Sequence, residues 1–278
     1  MQEMTGVAAD VPYVALSPEG EPDGAPLVVA WHLADPPRSE TAMAAALPLT
    51  GLPAWRVYLG LPLHGSRLPE GGLDALLQLG AEDAVLNVFD PVCRQAVEEF
   101  PAALAALSEE LPFGTGRLGL VGGSIGALVA LSALVETSLP VSAVALVSPA
   151  IRLAAVVEAN ERRFGVTYPW TERSRQAAER LDFVARADEV AKRDAAVLLA
   201  VGALDDQAGF RTPAEQLWKA LSRHAPDRTA LTSIPEMGHV LAEQPGLAPA
   251  PQTPQAAHVD SVMTSWFNRY LTSPGSTT

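Results

Sequence analysis

The chain is poor in cysteine, in basic residues and in uninterrupted apolar stretches, and each scarcity removes a class of protein. A single cysteine, Cys93, among 278 residues rules out an intrachain disulfide. Lysine and arginine number 19 against 32 aspartates and glutamates, a formal charge of −13, and such a field repels phosphate backbones and anionic membrane surfaces. Partners of either kind, nucleic acid or membrane, are not expected. Residues 1–10 lack the basic start and apolar stretch of a secretory signal, so a cytoplasmic location is the expectation. The longest uncharged run, Leu118 to Val135, approaches membrane-spanning length but is interrupted by Gly119, Gly122, Gly123, Ser124, Gly126 and Ser132. A buried strand followed by a buried helix accounts for it better. No HExxH zinc motif, no lysine-bearing phosphate loop and no dinucleotide glycine fingerprint occurs, so no cofactor and no metal are implied.

What is present is core material: 48% of residues are hydrophobic and 18% charged, the balance of a folded chain rather than a disordered one. No linker and no internal repeat breaks it. The expectation is a single domain over 11–272, with 1–10 and 273–278 as flexible termini. Short β-branched runs alternate with stretches of helical spacing, the pattern of a mostly parallel α/β sheet covered on both faces. Strands are predicted at Tyr13 to Leu16 as an early edge, Leu27 to Trp31, Arg56 to Leu61, Arg117 to Val121, Val141 to Val147, Val197 to Val201 and Thr229 to Ile234. Helical spacing marks Thr41 to Leu47, a long covering stretch from Leu73 to Leu111 broken at Pro91, Ile125 to Glu136, Pro213 to His224 and a closing Ala256 to Leu271. Two stretches break the alternation. Residues 152–193 are charged and helical, either a cap whose Phe164, Tyr168, Trp170 and Phe183 line a pocket or a surface helix pair, and Gln244 to Pro254 is a Pro/Ala-rich loop.

The chemistry-bearing signal is Gly122-Gly123-Ser124-Ile125-Gly126, preceded by the apolar run Leu118 to Val121 and followed by ALVALSALV. A strand that turns sharply into a helix lifts a serine into a strained, accessible position, and flanking glycines let the backbones approach: a nucleophile elbow. Serine at its ordinary pKa is a poor nucleophile and needs a base, which needs an orienting carboxylate. Both follow in chain order. The predicted strand ending at Val201 leads into Gly202-Ala203-Leu204-Asp205-Asp206, and the one ending at Ile234 leads to Met237-Gly238-His239. Asp206 is a rival to Asp205 as the acid. His32, His64, His224 and His258 do not directly follow the last strand, and the latter two fall on predicted helices as surface residues. Donors to an oxyanion are expected from the backbone N–H of Ile125, after the nucleophile, and from the loop after Leu27 to Trp31, where Leu33 or, as second choice, Ala34 would serve and His32 would brace the turn.

With these pieces in place the chain resembles the α/β-hydrolase superfamily, and within it the single-domain esterases related to dienelactone hydrolase and prolyl oligopeptidase. The matching segments are WHLAD, YLGLPLHGSR, GGSIG, GALDD and MGH, spread over nearly the whole chain, with Leu33 standing where the family carries a glycine. The resemblance implies a mostly parallel eight-stranded sheet with a small helical insertion and hydrolysis through an acyl-enzyme. It also favours Asp205, three residues past Gly202, as the acid. The expected activity is that of a serine carboxylesterase acting on a small-molecule ester. Peptidase and thioesterase activity on the same three residues remain alternatives, as does a non-enzymatic binding protein on a hydrolase fold.

Overall fold

The computed structural model describes residues 2–272. Its centre is one eight-stranded sheet in the order β1-β2-β4-β3-β5-β6-β7-β8. The strands are β1 (Glu3–Ala8), β2 (Val11–Leu16), β3 (Leu27–Trp31), β4 (Trp55–Leu59), β5 (Leu118–Gly123), β6 (Val141–Val147), β7 (Ala196–Gly202) and β8 (Thr229–Ile234). The pairs β1–β2 and β2–β4 are antiparallel; all others run parallel. Strands such as LVVAW and AVLLAVG are apolar at every position because both faces of a parallel sheet are covered.

One face carries α1 (Glu40–Ala46) and α9 (Pro254–Phe267), whose Met43, Val259, Met263 and Phe267 pack with Val28, Ala30 and Val121. The opposite face carries α3 (Asp90–Glu110), α4 (Ile125–Glu136), α5 (Leu153–Phe164), α6 (Glu172–Arg180), α7 (Ala187–Lys192) and α8 (Thr212–Ser222), while α2 (Gly72–Ala84) packs on the turn 85–89 that leads into α3. Helix α4 is buried from Ile125 through Leu134, all the way round, since it is sandwiched between the sheet and its neighbours α3 and α7. The uncharged run Leu118 to Val135 is thus a core strand and a core helix. Among the described residues no helix is long and apolar enough to cross a membrane.

Three expectations need correction. Residues 1–10 are not all outside the fold: Glu3–Ala8 form the outermost strand, paired along its whole length with β2, so Tyr13 to Leu16 is not the edge. The exposed-to-buried alternation of EMTGVA, half facing solvent, leaves that strand almost no apolar signature. Residues 273–278 lie outside the described residues. The break in the long helical stretch falls at Asp83, whose extended backbone (φ −161°, ψ 98°) precedes a π-turn over Val85–Phe89, and not at Pro91. Pro91 sits in the first turn of α3, where a missing N–H leaves no helical bond unmade. The insertion is three helices rather than a pair: Phe183 is fully buried in the core, Phe164 is 64% exposed, and Tyr168 stacks edge-on to Trp170 while donating a hydrogen bond to Asp83.

Candidate active site

Ser124 sits between β5 and α4 with φ +47° and ψ −115°, a strained conformation for a residue with a side chain. Neighbouring backbone holds it there: its N–H donates to Val147 O (3.1 Å) and its carbonyl accepts from Ala127 N (2.9 Å) and Ala150 N (3.2 Å). The glycine pattern is a packing requirement. A Cβ on Gly126 would lie 2.5 Å from Trp31 O and 2.6 Å from His32 O, so the loop after β3 can cross the start of α4 only over a bare backbone.

The acid and the histidine arrive on loops stitched to each other. Ala203 N donates to Ile234 O (3.0 Å) and Leu204 N to Met237 O (2.9 Å), which sets the loop after β7 against the loop after β8. His239 then places Nε2 2.9 Å from Ser124 Oγ and Nδ1 2.9 Å from Asp205 Oδ2. An ionised carboxylate only accepts, so Nδ1 carries the proton and Nε2 is left to accept from the serine hydroxyl. Asp205 is buried, and its other oxygen accepts from Asp206 N (2.7 Å). Asp206, the rival acid, points elsewhere: its Oδ1 accepts from Gly209 N (2.6 Å) and pairs with Arg162 of α5 (3.0 Å). The chain carries no sequence signal for this pairing, nor for Phe210, whose ring centroid lies 4.1 Å from that of His239.

Ile125 and Ala34 present backbone N–H groups that bond to nothing among the described residues. Leu33 does not: its N–H is spent on Pro37 O (3.2 Å), closing the turn after β3, and its side chain is fully buried against Gly123. Of the two candidates named for the second donor, Ala34 is the one whose N–H stays free among the described residues. His32 braces this loop. Its Nδ1–H donates to Leu33 O (2.7 Å), its Nε2 accepts from Leu61 N (3.3 Å), and complete burial pushes its pKa down to about 3, which keeps the ring neutral. His64 packs beside it, donating from Nδ1 to Pro62 O (2.9 Å), and burial lowers its pKa too. His224 and His258 are exposed on the surface. Cys93 is buried in α3, where desolvation raises the thiol pKa and keeps it protonated, so it is no rival nucleophile.

A strap holds the donor loop from outside. Leu241 N donates to Pro36 O (3.0 Å), Arg38 N to Gly246 O (2.8 Å), and Ser39 Oγ to Leu247 O (2.6 Å). The Pro/Ala-rich loop after His239 is thus bonded across the turn that carries Ala34. No group of three or more His, Cys, Asp or Glu side chains among the described residues could hold a metal ion.

Residues 93–273, about two thirds of the chain, match the prolyl oligopeptidase family. The chain belongs to that family. Its fold is shared with solved structures at low identity. A Thermus thermophilus protein, TT1662, is 20% identical with a TM-score of 0.67, covering 99% of this chain and 100% of that one. A Mycobacterium tuberculosis puromycin-hydrolyzing peptidase is 17% identical with a TM-score of 0.66, covering 96% of this chain and 40% of that one. Carboxyl esterase 2 of the fungus Tuber melanosporum is 18% identical with a TM-score of 0.58, covering 97% of this chain and 85% of that one. At these identities the likeness shows the α/β-hydrolase fold alone. No curated protein sequence matches the chain. Membership in the family makes the protein a hydrolase, and its structural neighbours include both esterases and peptidases.

Proposed function

We propose that the protein is a serine carboxylesterase that cleaves small, neutral or cationic esters through an acyl-enzyme. The observation that carries the reading is the bridging of Ser124 Oγ and Asp205 Oδ2 by the two nitrogens of His239, each at 2.9 Å. In the first half-reaction His239 Nε2 takes the Ser124 proton as Oγ attacks the ester carbonyl carbon, and Asp205 stabilises the imidazolium that forms. The oxyanion of the tetrahedral intermediate sits against the N–H groups of Ile125 and Ala34. Nε2–H then protonates the departing alkoxide, and the alcohol leaves. In the second half His239 deprotonates a water that attacks the acyl carbon, and the acid is released as the proton returns to Oγ.

The ester assignment draws on the surface next to the triad. Leu204, adjacent to Asp205, is 72% exposed and Val240, adjacent to His239, is 41% exposed. Both are apolar and flank triad residues in sequence, which suits an acyl or alkyl group. The charge of −13 disfavours anionic substrates. The test compares p-nitrophenyl esters of C2 to C12 with aminoacyl p-nitroanilides on the same enzyme. Efficient ester turnover with little anilide turnover supports the reading; the reverse preference overturns it in favour of a peptidase.

A further inference from the structure

Resting on the serine-hydrolase reading, we infer that Asp206, Arg162 and Phe210 form a positioning layer for His239, through which α5 of the insertion sets the orientation of the catalytic base. The two bonds to Ser124 and Asp205 lie in the plane of the imidazole, one at each nitrogen. Both survive a roll of the ring about the line joining those nitrogens. Only a contact on the ring face resists that roll, and Phe210 makes it, with a centroid separation of 4.1 Å and an interplanar angle of 44°.

Phe210 is held in turn by Asp206. It lies in the π-turn Gln207–Arg211, and three polar groups of Asp206 serve that turn or its junction with the triad. The carboxylate Oδ1 accepts from Gly209 N (2.6 Å), the carbonyl accepts from Phe210 N (3.1 Å) and Arg211 N (3.2 Å), and the N–H donates to Asp205 Oδ1 (2.7 Å). One residue thus grips the acid on one side and the backbone that carries the Phe210 ring on the other. Helix α5 closes the layer from outside. Arg162 Nη2 pairs with Asp206 Oδ1 at 3.0 Å, and a Cβ on Gly209 would meet the Cβ of Ala159 at 2.6 Å, so α5 is pressed directly on the turn. Arg162 and Asp206 are each nearly half exposed, so the ion pair contributes weakly while the turn and the ring contribute most.

The experiment is a double-mutant cycle on a p-nitrophenyl ester, with fluorophosphonate labelling of Ser124 in every variant. Phe210→Ala is expected to lower kcat about ten-fold with KM within about two-fold, because a displaced base slows chemistry and leaves substrate binding alone. Phe210→Tyr restores most of the loss. Asp206→Ala lowers kcat several-fold on its own and adds little in the Phe210→Ala background, since both act through one ring. Arg162→Met has the smallest effect in the same direction. A KM change without a kcat change would make Phe210 a substrate contact and overturn the proposal, as would full additivity of the two alanine variants. If wild type shows no label on Ser124 the serine-hydrolase reading itself has failed. If Ser124 is labelled and the variants keep wild-type kcat, the positioning layer alone has failed.

Discussion

Ser124 is approached from two sides that are built differently. On the α1 and α9 side, the donor loop and the strap are joined by Leu241 N to Pro36 O, Arg38 N to Gly246 O and Ser39 Oγ to Leu247 O, bonds that all involve main chain. On the α5 side, the turn beside His239 is closed by its own main-chain bonds to Asp206 but is tied outward to α5 by a half-exposed ion pair and to His239 by an aromatic face. Main-chain bonds are largely indifferent to salt and to most side-chain replacements, whereas an exposed ion pair is screened and replaceable. On the proposed mechanism, the side that would supply fixed dipoles to an oxyanion is the rigid one, and the side that would hold a moving proton is adjustable. Electrostatic stabilisation rewards donors that do not reorganise, while a base has to tolerate two protonation states.

The largest effect is expected at the residues both sides serve. Ser124→Ala or His239→Ala should lower ester turnover by about 10⁴-fold or more, and Asp205→Asn by about 10³–10⁴-fold. Asp206→Asn, which keeps an acceptor for Gly209 N, should cost less than about ten-fold; steady-state kinetics of the four variants decides between the two adjacent acids. Next comes Gly126→Ala on the rigid side. Its new methyl would run into Trp31 O and His32 O, backbone atoms that cannot step aside, so denaturant unfolding should show a loss of about 1–3 kcal/mol together with activity.

Acid should reach the rigid side through His32. Its folded-state pKa, about 3, lies below the unfolded value, so the folded protein refuses a proton that the unfolded chain accepts. That residue's cost is absent above pH of about 6.5 and grows as pH falls toward 3, reaching about 2 kcal/mol by pH 5. His64 adds in the same direction. Urea unfolding at pH 7 and pH 5 measures the sum, and a His32→Gln variant should show a flatter dependence. The smallest effect is Ser39→Ala. The hydroxyl caps α1 through Ala42 N (3.1 Å) and reaches Leu247 O of the strap, so its loss should cost about 1–2 kcal/mol and only a modest part of kcat. A large kcat loss there, at unchanged stability, would mean that the rigid side is less rigid than its bonding suggests.

The sheet and the elbow were legible because their causes are local. β6 and β8 have the bounds their β-branched runs predict, and Gly122-Gly123-Ser124-Ile125-Gly126 carries in five residues the close approaches a strand-to-helix turn demands. Asp205 and His239 were legible through chain order, since loops at one edge of a parallel sheet converge. The donor was not. An offset from the end of β3 points to Leu33, but which N–H stays unbonded depends on how Pro36 and Pro37 fold the turn back, and Leu33 N is consumed by Pro37 O. The grouping of Phe210, Asp206 and Arg162 was invisible for a related reason: Arg162 and Asp206 meet across 44 positions of sequence, and no spacing rule connects an insertion helix to a turn beside the acid. The edge strand Glu3–Ala8 escaped because half of it faces solvent and its pattern is only weakly apolar.

The measurement that bears most directly on the central claim is covalent labelling with a fluorophosphonate followed by peptide mass spectrometry. The account predicts one adduct, on Ser124, that forms at neutral pH, is lost in Ser124→Ala and is strongly slowed in His239→Ala. An adduct on another residue, or undiminished labelling of folded Ser124→Ala, would contradict it.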